Sequence, residues 1–296
     1  MTLLRSALAV LFSLLAASAA LAQDRPTIVT VNYPLQYFAQ RLVGDAADVV
    51  FPVPRDVDPS FWRPAIADIS AIQSADLILL NGAGFATWID RVSLPRSKVV
   101  NTTAKIENQF IRTESITHSH GEGQEHSHEG TASYTWLDPM LAIAQAEAVA
   151  AAITTRGIAP ADKVEAQLDR LRTDLEALDK TAVASLGGLQ NIAIIATHPR
   201  YQYFARRHGL SIASLEWDAG AMPTQAERAD LVTLVDEKNA QILIWEAEPP
   251  AAAFAITREL GLHNVVFPPL AHPVEGQTFL QSVETTLTAI SGARQQ

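Results

Sequence analysis

Two rounds of strand-and-helix alternation, separated by one long amphipathic stretch, constrain this chain more than any other feature. Thr27–Asn32, Val49–Val53, Leu77–Asn81 and Val99–Asn101 are short apolar runs bounded by Pro, Gly or Asp. That is how strands buried on both faces read. Helix-like segments lie between them. The scheme returns in the second half, where Ile192–Thr197, Leu210–Leu215, Ile242–Glu246 and Val265–Phe267 read as strands. Tyr201–His208, Gln225–Glu237, Ala252–Leu260 and Phe279–Ile290 read as helices. Alternation of this kind predicts parallel sheets covered by helices. From Pro160 to Leu186 there is no strand signal. Val164, Leu168, Leu171, Leu175 and Leu178 recur there at spacings of 4, 3, 4 and 3, which lays one apolar stripe along a helix. Pro160 suits its first turn and Gly187-Gly188 its end. About 27 residues at 1.5 Å each span roughly 40 Å. The expectation is therefore an α/β fold with two parallel-sheet lobes, at 24–157 and 188–296. A long rigid backbone helix over 158–187 would join them and hold a cleft open between them.

Residues 1–22 stand apart. Arg5 is the only charge before Asp24, and the apolar run from Ala7 ends in Ala20-Leu21-Ala22. This is the order of a cleavable secretory signal, and the run is too short and Ala-rich to read as a membrane span. The chain has no cysteine, which rules out disulfides, thiolate ligands, a Cys nucleophile and a lipid-modified N-terminal Cys. A formal net charge of −10 argues against nucleic acid or anionic lipid as partner. The expected place is the periplasm, with the mature protein an untethered monomer not inserted in the membrane.

Four of the eight histidines fall in one low-complexity stretch, as the pairs His118/His120 and His126/His128. Residues i and i+2 of an extended chain share a face, so each pair can grip one ion. Neutral imidazole suits zinc, copper or nickel. The segment 115–133 reads as a His-rich surface loop of modest affinity, because ordering it costs conformational entropy. A solvated linker without a metal role is the plainer alternative. A second candidate is His198, directly after the strand at 192–197. In open α/β sheets ligands bind beyond the carboxyl ends of strands. Glu246 ends another strand and is a candidate ligand or salt-bridge partner, while Asp138 before Pro139 reads as a helix N-cap. No Gly-rich phosphate loop and no Gly-x-Ser-x-Gly occur. No catalytic residue is assigned, and a metal-dependent hydrolase would need a preformed ligand set that is not visible.

Several stretches, in order along nearly the whole mature chain, are similar to the zinc and manganese solute-binding proteins of ABC importers, the ZnuA-like group (cluster A-I). They are Val31-Asn-Tyr-Pro-Leu35; Asp58-Pro59 with Pro64 and Asp68; Ala75-Asp-Leu-Ile-Leu-Leu-Asn-Gly-Ala-Gly84 with Trp88-Ile-Asp90; Trp136-Leu-Asp-Pro139 after the His-rich loop; and His198 with Tyr203-Phe204 and Gly209-Leu210. The resemblance implies two Rossmann-like lobes joined by a rigid helix and a metal between them. It implies a divalent ion as cargo, Zn2+ or else Mn2+ or another divalent metal, and an inner-membrane ABC permease as partner.

This chain departs from the family pattern at the ligands. The group usually carries a His directly after the Asp-Pro, where this chain has Ser60, and a second two residues before Trp-Leu-Asp-Pro, where it has Tyr134. His198 matches the third. A Glu tends to precede the Pro of the first loop, where Arg63 stands, and an acidic ligand is expected near Phe267–Leu270, where Pro268-Pro269 are followed by His272. Arg63, Glu246 and His272 are thus possible cleft neighbours, and Arg63 would repel a cation there. Two readings stay open. One is metal capture by the His loop and the cleft around His198. The other is a divergent relative without a cleft metal, acting as a periplasmic zinc buffer, chaperone or regulator, or taking a non-metal or metal-complex ligand.

Overall fold

A computed structural model describes residues 25–113 and 130–293; the signal-peptide reading at 1–22 and the four loop histidines lie outside them. The first lobe holds a parallel sheet of β1 (Thr27–Thr30), β2 (Asp48–Val50), β3 (Leu77–Leu80) and β4 (Val99–Asn101), in the order β2-β1-β3-β4. Helix α1 (Tyr33–Val43) follows β1, and α2 (Ile66–Ser74) precedes β3. The second lobe holds β7 (Ala193–Ala196), β8 (Ser211–Ser214), β9 (Ala240–Trp245) and β10 (His263–Val266), all parallel, in the order β10-β9-β7-β8. Counted from each lobe's first strand, the two sheets have the same topology. Its switch point lies between β1 and β3 in one and between β7 and β9 in the other. Helices α5 (Gln202–His208), α6 (Gln225–Lys238), α7 (Ala251–Glu259) and α8 (Phe279–Ala293) complete the second lobe.

Every expected strand is present, with instructive differences at the ends. Asn32, read as strand, instead caps α1, its side-chain oxygen accepting from the Leu35 N–H at 3.1 Å. A capping amide competes with the ladder for the backbone and wins at a chain reversal. Conversely β9 and β10 begin before their apolar runs. The ladder pairs His263 with Ile242 and Asn264 with Leu243, so backbone pairing carries polar residues into strands that hydrophobicity alone would have trimmed.

The helix read at 160–186 is α4, Ala161–Ser185, roughly 38 Å long at 1.5 Å per residue. Val164, Leu171, Leu175 and Leu178 are buried along it and Leu168 is half-buried. It is embedded, not free-standing. It packs against α3 (Pro139–Thr155), α1 and α8, and one hydrophobic core runs from the first sheet through these helices into the second. Asp179 near its end receives Arg207 of α5 in a two-toothed ion pair, at 2.8 and 2.5 Å, which docks the second lobe onto the long helix.

An unexpected feature is a two-residue antiparallel ribbon, β5 (Arg112–Thr113) with β6 (Gly130–Thr131), whose first strand precedes the span read as loop and whose second lies within it. Two residues cannot display a period, so only the pairing reveals it. A Cβ at Gly130 would lie 2.6 Å from the Thr113 hydroxyl, so glycine permits the close approach.

Candidate functional site

The site is assembled at the switch point of the second sheet, where ligands of open α/β folds gather. β7 delivers Thr197, His198 and Arg200 at its carboxyl end, and β9 delivers Glu246. Nδ1 of His198 lies 3.1 Å from the Trp217 carbonyl and 3.7 Å from a Glu246 carboxylate oxygen. A carbonyl only accepts, so Nδ1 carries the proton and donates. The Nε2 lone pair is left for a ligand. A backbone carbonyl holding one ring nitrogen while the other faces a metal is the usual support for a ligating histidine. At the matching switch point of the first lobe, Asn32 donates to Asn81 at 3.2 Å and Gln145 donates to the same oxygen at 3.0 Å. That end is a satisfied amide network, built for structure.

The residues at the family's other two ligand positions do come together, but with each other. The Ser60 and Tyr134 hydroxyls are 3.1 Å apart and both residues are buried. Burial pushes the Tyr134 hydroxyl well above tyrosine's ordinary pKa, so it stays a neutral phenol, a poor ligand for a hard or borderline cation. Beside them sits a residue that sequence reasoning missed. Arg200 is 7% exposed. Its guanidinium donates to Asp58 at 2.8 Å, approaches Glu246 at 3.4 Å and lies 4.7 Å from the centroid of the Tyr134 ring. Burial alone would weaken its charge, yet Tyr134, Glu246 and Asp58 outweigh that and hold its pKa above the ordinary value. The signal was present in Thr197-His198-Pro199-Arg200. Its significance depends on Asp58, 142 residues away, and no local pattern carries that.

Arg63, expected to face the cleft, is exposed and lines a separate cavity in the first lobe. The reason is local. Trp62 takes the interior position, edge-on to Trp88 at 5.8 Å, and the next side chain falls outside. The cation that opposes a metal in the cleft is therefore Arg200, and Asp58 with Glu246 neutralise it. His272 and Glu246 do line the cavity between the lobes, of about 320 Å3, together with Asp58, Tyr134 and Pro269. There the His272 Nε2 is 2.7 Å from the Val57 carbonyl and so donates to it. Among the described residues no three His, Cys, Asp or Glu side chains are grouped as a metal would require. His198 and Glu246 approach each other to 3.7 Å.

Residues 28–293 match the family described as zinc-uptake complex component A, periplasmic. The chain is 26% identical over 303 residues to the zinc-binding lipoprotein AdcA of Streptococcus pneumoniae, a match covering 98% of this chain and 60% of that protein. It therefore spans about 60% of the length of the AdcA relatives it matches. It is 29% identical over 239 residues to the high-affinity zinc uptake system protein ZnuA of Bacillus subtilis, covering 75% of this chain and 71% of that one. The crystal structure of the Zn(II)-bound ZnuA-like domain of S. pneumoniae AdcA shares the fold, with a TM-score of 0.76 at 20% identity over 92% of this chain and all of that domain.

Proposed function

The chain belongs to the periplasmic zinc-uptake component A family, and on that footing we propose that it captures a divalent metal ion, zinc first, outside the cytoplasm for an ABC permease. Capture is non-covalent and involves no catalysed step. The observation that carries this reading is His198. It is held at the sheet's switch point with Nδ1 donating to the Trp217 carbonyl, Nε2 free to ligate and Glu246 at 3.7 Å. The His-rich segment with His118, His120, His126 and His128 is proposed to collect ions and feed them to the cleft. Manganese or another divalent ion is a weaker cargo. Several relatives are called lipoproteins; this chain has no cysteine to lipidate, and we propose that it is released into the periplasm after signal cleavage. Among the described residues no helix is long and apolar enough to cross a membrane.

A second reading rests on Arg200. A guanidinium buried between Asp58 and Glu246 occupies both carboxylates that a cleft metal would use. In that case the loop alone binds zinc, and the protein is a buffer, chaperone or regulator. Calorimetric titration with zinc separates the two. On the first reading, deleting residues 114–129 leaves one site, and that site disappears in His198→Ala. On the second, the deletion abolishes all zinc binding.

A further inference from the structure

A cavity of about 450 Å3 opens in the first lobe beside the loop that carries Asp58 and Ser60. This is within the range of small-molecule sites. One wall is the buried Trp62–Trp88 pair, and Pro64 and Phe61 add to it. Phe61 is 59% exposed, unusual for so large an apolar side chain. Arg63 and Arg91 are also in the lining, and no carboxylate is. Asp90, next to Arg91, lies outside the lining. Among the described residues neither arginine forms an ion pair. In a chain of net charge −10, a concave surface with aromatic walls and only cationic charge selects against metal ions and for organic anions.

The chemistry can be narrowed further. A guanidinium offers a fork that matches a carboxylate, and indole and phenyl faces accept a flat ring by offset stacking or edge contact. We propose that this cavity binds a small aromatic carboxylate, its ring against Trp62, Trp88 and Phe61 and its carboxylate held by Arg63 and Arg91. The carboxylate could belong to a free acid or to an acid that carries a chelated metal. The cavity shares its loop with the cleft: the Thr87 N–H donates to the Ser60 carbonyl at 3.2 Å, and Phe61 lies 5.9 Å from the Arg200 guanidinium. The proposal does not depend on a metal occupying that cleft.

The test titrates the full chain with salicylate and with benzoate, each with and without zinc, following tryptophan fluorescence and heat. Benzylamine is the cationic control. Saturable quenching by both acids is expected, with none from benzylamine. Affinity should fall at least tenfold in Arg63→Ala and in Arg91→Ala, should fall less in the corresponding Lys variants, and should be unchanged in Arg258→Ala, a remote arginine. Equal salicylate affinity with and without zinc assigns the free acid, and tighter binding with zinc assigns the chelate. Both arginines are exposed, so unaltered circular-dichroism melting is expected and would tie any loss to binding. The proposal is overturned if neither acid saturates, if benzylamine binds as well, if Arg258→Ala weakens binding equally, or if the Arg63→Ala/Arg91→Ala double variant keeps its affinity.

Discussion

At the scale of single residues, two buried groups set measurable properties. His208 is the last residue of α5 and packs against Phe204, at 4.9 Å between rings, with neither ring nitrogen hydrogen-bonded among the described residues. Burial lowers its pKa to about 4, against a weaker opposing pull from Asp179. The unfolded chain takes up this proton near 6.5 and the folded chain only near 4, so stability falls as pH drops through that window. Asp138, whose pKa burial raises, works the other way near the acid end, whereas Asp179, lowered by its hydrogen bond from Arg207, loses its contribution only below the ordinary carboxylate range. The difference between wild type and His208→Leu isolates the histidine. We expect the melting temperature of the variant to decline less between pH 6.5 and pH 4, and parallel declines would refute the assignment. Arg200 is the second group. Arg200→Ala leaves Asp58 and Glu246 without their cation and should cost about 3–5 kcal/mol in urea melts. The same change frees Glu246, 3.7 Å from His198, together with Asp58, so zinc should raise the variant's melting temperature more than the wild type's. An equal or smaller zinc shift would show that Arg200 does not compete with a metal.

At the scale of elements, the helices that frame the cleft carry separable contributions. The Asp138 side chain accepts from the Met140 N–H at 2.9 Å and caps α3. Asp138→Ala should therefore destabilise by about 1 kcal/mol, while Asp138→Asn, which can still cap, should lose less. Zinc affinity measured alongside reports whether that carboxylate has any part in metal binding. Leu175 is fully buried on the inner stripe of α4. Leu175→Ala should cost about 2–5 kcal/mol in denaturant unfolding, because the stripe packs against three neighbouring helices and the gap cannot close. A cost under about 1 kcal/mol would mean that the long helix is less embedded than its burial indicates.

At the scale of the whole molecule, the lobes are stitched together by the segment 269–272 of the second lobe. The Tyr33 N–H donates to the Ala271 carbonyl at 3.0 Å, Trp136 Nε1 to the Pro269 carbonyl at 2.8 Å and His272 to the Val57 carbonyl at 2.7 Å. Arg200 adds a charged link from the second lobe to Asp58 of the first. Each of these would have to break for the lobes to swing apart, and a continuous core passes beneath them. Small-angle scattering is therefore expected to give the same radius of gyration with and without zinc. A resolvable contraction would reveal a hinge these contacts conceal.

Much of the fold was legible in sequence because it depends on local pattern: apolar runs of strand length, the 3-4 spacing along α4, and the Asp138-Pro139 cap. His198 and Glu246 were legible for the same reason, as residues at the ends of such runs. The two-residue ribbon β5–β6 was not, being too short to show a period. Nor was the composition of the cleft. Ser60 and Tyr134 are separated by 74 residues and meet only through the packing of the first lobe, and Asp58 and Arg200, separated by 142, meet only where one lobe packs on the other. The sequence by itself determined the strands and helices of the two parallel sheets and the histidine at the end of β7, because periodicity and capping act over a few residues. Tertiary structure alone decided that Arg200 is buried between Asp58 and Glu246 and that Arg63 lines a different cavity, because the place of each charge is chosen by packing partners far away in the chain.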